Sequence, residues 1–168
     1  MRISVIGTRE PAVFQKKLAY GISEEILKKD WEISTGAADG IDSIGMRAAK
    51  DMEKAHLLYV YLPWGSYNKE FIPDGSNIII YREHAEWKDS VYKYHPSPDN
   101  LTRGIFALHA RNYGIISNSD AVIAFPGYKL GGTGQGIRIA KGLGINVITI
   151  SPKDTNVLID DLIDFIEQ

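Results

Sequence analysis

Residues 119–150 read SDAVIAFPGYKLGGTGQGIRIAKGLGINVITI, and their order decides the fold. Apolar runs at 121–125 and 147–150 have the length of buried strands. Between them a glycine-rich turn at 127–136 leads into a helix that ends near Leu143. Strand, turn, helix, strand is a βαβ unit, and such units build parallel sheets. The turn between a strand end and a helix start is also where α/β proteins hold phosphate. Glycines let the backbone approach an anion, and the free N–H groups of the first helical turn point at it. Gly131, Gly132, Thr133 and Gly134 supply that geometry, with the Thr133 hydroxyl as a further donor, and Pro126, Gly127 and Gln135 flank it. The same glycines equally suit a tight helix-on-strand connection that binds nothing.

Working outward, residues 2–6 (RISVI) form a β-rich run that ends at Gly7, and Thr8, Arg9, Glu10 and Pro11 follow as a turn. From 13 to 27 apolar residues recur at helical spacing, and 31–34 (WEIS) is the next strand. A second small-residue turn, TGAADGID at 35–42, contains Gly36, Ala37 and Gly40 and offers Asp39 or Asp42 as cap for a helix to about Lys54. Residues 56–62 (HLLYVYL) make a third strand. Residues 63–98 break the rhythm with aromatics, prolines and turn residues, although 77–81 suits a short strand and 83–94 a helix. A helix from Asn100 or Thr102 to about Ser117, carrying His109, Arg111 and Asn112, leads back to the opening stretch, and 157–166 closes the chain as an amphipathic helix. The expected fold is α/β, a Rossmann-like, doubly wound, mostly parallel sheet flanked by helices. Residues 1–168 are expected to form one domain, with an irregular excursion at about 63–98.

Composition narrows the function. Apolar residues make up 44% and charged residues 24% of the chain, which fits a globular protein. The net charge of −2 argues against a sequence-wide grip on nucleic acid while permitting a local basic patch. With no cysteine, thiolate metal sites and cysteine nucleophiles are excluded. His56, His84, His95 and His109 lack metal-ligand spacing, so neither metal nor cofactor is expected. No signal-peptide pattern opens the chain and no apolar run reaches the roughly 20 residues of a membrane span. A cytoplasmic protein without a membrane partner is expected.

In a doubly wound sheet the strand C-termini share one edge, and ligands bind where the strand order reverses. Three turns converge there: Gly7, Thr8 and Arg9; residues 35–42; and the glycine turn at 127–136. Gly7 is followed by TREPA, not by the remaining glycines of a dinucleotide fingerprint, and no phosphate-loop lysine motif occurs.

The segments ISVIGTR (3–9) and STGAADGID (34–42) resemble the opening strand and S-G-x-A-x-G-I-D turn of DNA-processing protein A, the recombination mediator. The segments HAR (109–111), SDAVIAFPG (119–127) and GGT (131–133) resemble the LOG-type phosphoribohydrolases, which carry H-x-R-K and then S-D-A-F-I-A-L-P-G-G-x-G-T-x-x-E. Both belong to the SLOG superfamily of Rossmann-like nucleotide binders. The resemblance covers about 2–62 and 105–150 and implies a nucleotide-type ligand and a homodimer paired through helices. In the LOG enzymes the arginine and the glutamate act together in breaking an N-glycosidic bond. Arg111 matches the arginine, whereas Gly136 stands at the glutamate position and Tyr128, Lys129 and Leu130 interrupt the turn. Glycine can neither stabilise an oxocarbenium-like centre nor activate water.

The leading expectation is a binding module for a nucleotide or ADP-ribose-like ligand. Its phosphate would sit on the 131–135 turn, with Arg111 as counter-charge and Asn112 beside it. The 7–9 and 36–40 turns would form the other wall. One alternative is an N-glycosidase in which a displaced carboxylate, Asp39 or Asp42 ahead of Glu10, replaces the missing glutamate and works with Arg111. The other is a single-stranded DNA-binding accessory, shorter than the recombination mediators and without their C-terminal winged helix. For that function the aromatics of the excursion (Trp64, Tyr67, Trp87 and Tyr92 among them) with Lys88 and Arg103 offer a stacking surface. The same residues also suit a lid, a dimer interface or plain internal packing.

Overall fold

A computed structural model describes residues 1–168. The strands are β1 (Arg2–Gly7), β2 (Glu32–Thr35), β3 (Leu58–Leu62), β4 (Asn77–Ile80), β5 (Ala121–Phe125) and β6 (Asn146–Thr149). The helices are α1 (Val13–Lys28), α2 (Ile41–Asp51), α3 (Ala85–Tyr94), α4 (Arg103–Ser117), α5 (Gly131–Gly142) and α6 (Ile159–Glu167). One six-stranded sheet runs in the order β4-β3-β2-β1-β5-β6 with every pairing parallel. The order reverses between β1 and β5, so the switch point lies where Gly7 pairs with Phe125.

Two apolar layers cover the sheet. On one face Ile3, Val5, Ile33, Val60, Ile123 and Phe125 pack against α1, α2 and α6. On the other Ile6, Tyr61, Val122 and Ala124 pack against α3, α4 and α5. Adjacent residues of β1 and β5 thus serve opposite cores, as period-two strands require. Both faces being covered explains why the strands read as continuous apolar runs.

The excursion joins the same architecture. Within it β4 extends the sheet beyond β3 and α3 packs on α4, fastened by Trp87, whose indole stacks on Tyr81 at 6.3 Å and meets Tyr61 at 5.8 Å. A Cβ at Gly114 on α4 would come within 2.6 Å of the Trp87 ring, so glycine there makes the close approach of α3 and α4 possible.

Three local expectations are corrected. The glycine-rich turn is shorter than 127–136, because α5 begins at Gly131 and the remaining glycines lie inside it. Burial of Thr133, Gln135 and Ile137 against the sheet outweighs the poor helix propensity of glycine. Neither Asp39 nor Asp42 caps α2; Gly40 holds the N-cap at φ +81°. His56 lies in a 3-10 turn ahead of β3, not in the strand. No helix is long and apolar enough to cross a membrane.

Candidate functional site at the switch point

The chain leaves β1 at Gly7, and the Thr8 N–H donates to the Phe125 carbonyl at 2.9 Å, closing the switch point in backbone. The Thr8 carbonyl in turn accepts from the Ile41 N–H at 3.2 Å, which brings the first turn of α2 alongside. A Cβ at Gly40 would fall 2.3 Å from that carbonyl oxygen, so this contact and the positive φ both require glycine. On the far side Gln15 of α1 donates to the carbonyls of Pro126 and Ile150, both at 2.9 Å, and fixes the exits of β5 and β6. Helix α4 is anchored by the hydroxyls of Ser4, Ser34 and Ser119, each 2.9–3.0 Å from the Ile115 carbonyl oxygen.

These restraints frame a cleft of about 400 Å³. Gly7, Thr8 and Arg9 line one side, Arg111 and Asn112 another, and Gly131, Gly132 and Thr133 the mouth of α5. Arg9 and Lys129 are exposed cations at its rim, and Ile105, Leu108 and Leu130 supply apolar wall. Mixed apolar walls with a few convergent polar groups are usual for small-ligand sites.

Arg111 is buried, at 5% exposure, in a network of its own. Its Nη1 donates to the Tyr61 carbonyl at 3.0 Å, its Nε to Asn112 Oδ1 at 3.1 Å, and its guanidinium lies 5.7 Å from the centre of the Tyr67 ring. Asp42, equally buried, accepts from the Thr35 hydroxyl at 3.1 Å and the Ala38 N–H at 3.3 Å. Burial pushes the Asp42 carboxyl above its ordinary value, opposed by the Arg111 charge and these two hydrogen bonds. Burial likewise pulls Arg111 below its ordinary value, opposed by Asp42. Gly36 lies directly beneath the pair, where a Cβ would meet Arg111 Nη1 at 2.2 Å and Asp42 Oδ2 at 2.8 Å.

The other expected site residues support the cleft from behind. Gly36, Ala37, Gly40, Pro126, Gly127, Gly134 and Gln135 are not among its lining residues. Gln135, fully buried, holds the wall in place: its Oε1 accepts from Asn112 Nδ2 at 3.1 Å and lies in short contact with His109 Nδ1. Burial lowers the His109 imidazole below its ordinary value, and the hydrogen bond to Gln135 opposes that. Asp39 is exposed and faces a separate groove along α2, away from Arg111. Of the candidate catalytic groups, the structure therefore brings Asp42 and Arg111 to the cleft and leaves Asp39 out. Gly136 does line it and carries no side chain at the glutamate position; a Cβ there would meet Ile6 Cδ1 at 2.7 Å. Glu10 and Asp42 are the carboxylates of the lining.

Sequence reasoning missed Lys129 and Leu130, which read as an interruption of the turn yet close the cleft mouth. It also missed Asn68 of the excursion, whose Nδ2 donates to the Ala37 carbonyl at 2.7 Å and ties the excursion to the second turn, and it named Tyr67 only among the excursion's aromatics, not as a neighbour of Arg111. A lysine two residues before phosphate-type glycines was the available signal for Lys129.

Comparison with known proteins agrees with this architecture. The chain is 30% identical over 94 residues to DNA processing protein DprA of Bacillus subtilis (strain 168), covering 56% of this chain and 28% of that protein. It therefore aligns with little more than a quarter of that relative's length. Among solved structures, DNA processing protein A of Helicobacter pylori, described for its unique single-stranded DNA binding mode, matches with a TM-score of 0.65 at 20% identity. That match covers 89% of this chain and 64% of the other. The structural-genomics target TM1055 matches with a TM-score of 0.58 at 16% identity, covering 87% and 71% of the two chains. At these identities the two structures establish the α/β fold. The family model of DNA recombination-mediator protein A matches residues 1–159, nearly the whole chain, and the chain belongs to that family.

Proposed function

We propose that this chain binds single-stranded DNA, with one nucleotide unit of the strand seated in the switch-point cleft. The observation that carries the reading is the meeting of the α5 N-terminus with the exposed cations Arg9 and Lys129 at a cleft of nucleotide size. A backbone phosphate fits at Gly131–Thr133, where helix N–H groups meet the exposed cations Arg9 and Lys129 of the same cleft. The attached base occupies the slot walled by Ile105, Leu108 and Leu130, with Asn112 at its polar edge. Membership of the recombination-mediator family supports a DNA strand over a free nucleotide, as does the fold shared with the Helicobacter pylori protein.

In this reading Arg111 and Asp42, buried and bonded to Tyr61, Asn112, Thr35 and Ala38, hold the cleft wall. The size and concavity of the cleft also favour a second reading, a free nucleoside phosphate or ADP-ribose-like ligand in the same place. Fluorescence anisotropy with labelled oligo-dT, competed with AMP and ADP-ribose, separates the two. The expected result is oligonucleotide binding that weakens with salt and drops by roughly tenfold in Arg9→Ala or Lys129→Ala, the loss of one charge-assisted hydrogen bond. Mononucleotide binding with no oligonucleotide affinity would replace this reading by the second. Release of free base from a bound nucleotide would turn attention to Asp42 as a hydrolytic group.

A further inference from the structure

We infer that a groove lying across α4 from the cleft, with Trp64, Tyr92 and Phe106 in its walls and Arg82, Lys88 and Arg103 on its rim, is a second nucleotide subsite that continues the path of the single strand. The inference rests on the single-strand reading of the cleft.

The excursion's aromatics divide into two groups. Tyr61, Tyr81 and Trp87 are buried and pack on one another, so they are committed to the core. Trp64 is 40% exposed and Tyr92 54% exposed, and both face a groove of about 940 Å³ that core packing does not fill. Trp64 is braced edge-on by Tyr67 at 5.3 Å, and Tyr92 leans on Phe106 at 5.6 Å. Rings supported on one side with a free side toward a groove are stacking platforms, since every base presents a π-face.

Charge gives the same answer. The groove carries three cations against the single carboxylate of Glu83, on a chain whose net charge is −2. The Arg103–Glu83 contact is loose, at 3.5 Å with side chains 95% and 70% exposed, so Arg103 is available to a ligand. An apolar protein partner would gain nothing from this rim, whereas a polyanion with aromatic bases satisfies both rim and walls.

The backbone adds an independent sign. Arg82 and Glu83 follow β4 with φ of 40° and 53°, two consecutive non-glycine residues in the left-handed region, and both line the groove. Such strain concentrates at ligand sites, where the conformation is kept for what it presents.

Continuity with the cleft follows from α4. Arg103 and Phe106 line the groove, and Ile105, Leu108 and Arg111 line the cleft. From Arg103 to Arg111 the helix rises about 12 Å, roughly the length of four stacked nucleotides. A dinucleotide can fill the cleft alone, and a longer strand can fill both.

Length-dependent binding tests this. In Trp64→Ala and Tyr92→Ala the affinity for dT12 should fall about tenfold, the effect of one lost base stack, while dT2 binding stays unchanged. Lys88→Glu, an exposed surface change that leaves the fold intact, should weaken dT12 in the same way. Trp64 also reports directly: in a Trp31→Phe background, with Trp87 buried, dT12 but not dT2 should quench the tryptophan emission. If dT12 affinity is untouched by all three substitutions while Arg9→Ala and Lys129→Ala reduce it, the groove is off the strand's path and the cleft reading survives. If instead wild type self-associates and Trp64→Ala does not, with dT12 unaffected, the groove is a contact between copies and the inference is wrong. Absence of any oligonucleotide binding by wild type would remove both readings together.

Discussion

Arg111 and Asp42 are two opposite charges taken out of water, each supported by hydrogen bonds to neutral partners. Desolvation is the leading influence on both, so the pair offers little net stability as it stands. Removing one member is a different matter, because it strands the other charge. Arg111→Ala should therefore cost about 3–5 kcal/mol in urea unfolding, a large part of the 5–15 kcal/mol typical of a domain. Adding Asp42→Asn should recover part of that loss, and strictly additive effects would show that the charges do not couple. The pH dependence has a definite sign. The Asp42 carboxyl is raised in the folded chain, so the native state holds its proton more tightly than the unfolded chain does. Its contribution is present below the unfolded carboxylate value, near 3.9, and fades as pH rises through the folded one. Urea midpoints between pH 4 and 7 should accordingly turn increasingly in favour of Asp42→Asn over wild type; a constant difference would mean that Asp42 stays ionised throughout.

At the scale of elements, the contact of α4 with α5 is where acid should act. His109 sits there against Gln135, edge-on to His95 at 4.5 Å, with Arg111 and Arg138 also opposing its charge. Its folded value is depressed, so the stability it contributes is present above about 6.5 and lost as pH falls through the folded value. Wild type should lose stability between pH 7.5 and 5.5, and His109→Gln should lose less over the same interval; equal losses would place the acid sensitivity elsewhere. The α3–α4 contact gives a steric counterpart: Gly114→Ala drives a methyl into Trp87 and Tyr61 at 2.6–2.8 Å. That should cost about 1–3 kcal/mol, and a melting temperature unchanged from wild type would show that the excursion yields freely. These elements also mark what the sequence could and could not disclose. Strands buried on both faces announce themselves as apolar runs, so β1, β3 and β5 were legible at once. The start of α5 was not, because four glycines in its first half contradict local propensity and only the buried face of Thr133, Gln135 and Ile137 makes it helical. Nor was the choice between Asp39 and Asp42. They sit on either side of Gly40, the N-cap of α2: Asp42 lies buried in the first turn of the helix, while Asp39 stays in solvent ahead of it.

For the whole molecule, where the charges sit says more about a partner than their sum does. A chain at −2 reads as indifferent to DNA, and by that measure a small nucleotide ranks first. The sheet instead gathers selected cations on its C-terminal edge: Arg9 and Lys129 at the cleft, and Arg82, Lys88 and Arg103 beside it. Acidic residues dominate elsewhere, as on α6, where Asp160, Asp161, Asp164 and Glu167 face away from the cleft's layer. Binding depends on the local field, and its salt dependence counts the phosphates engaged. Each phosphate neutralised on a single strand contributes about −0.7 to the slope of log K against log salt. If all five cations engage, the slope for a long oligo-dT should approach roughly −3.5. The double substitution Arg9→Ala, Lys129→Ala should reduce its magnitude by about 1.4, and should act on dT2 as well as dT12. A slope left intact by that double substitution would take the strand's phosphates away from the switch point, whatever the affinity. A slope near zero in wild type would mean that the edge holds a ligand by shape and hydrogen bonding, as a free nucleotide would be held, and not by the charge of a strand.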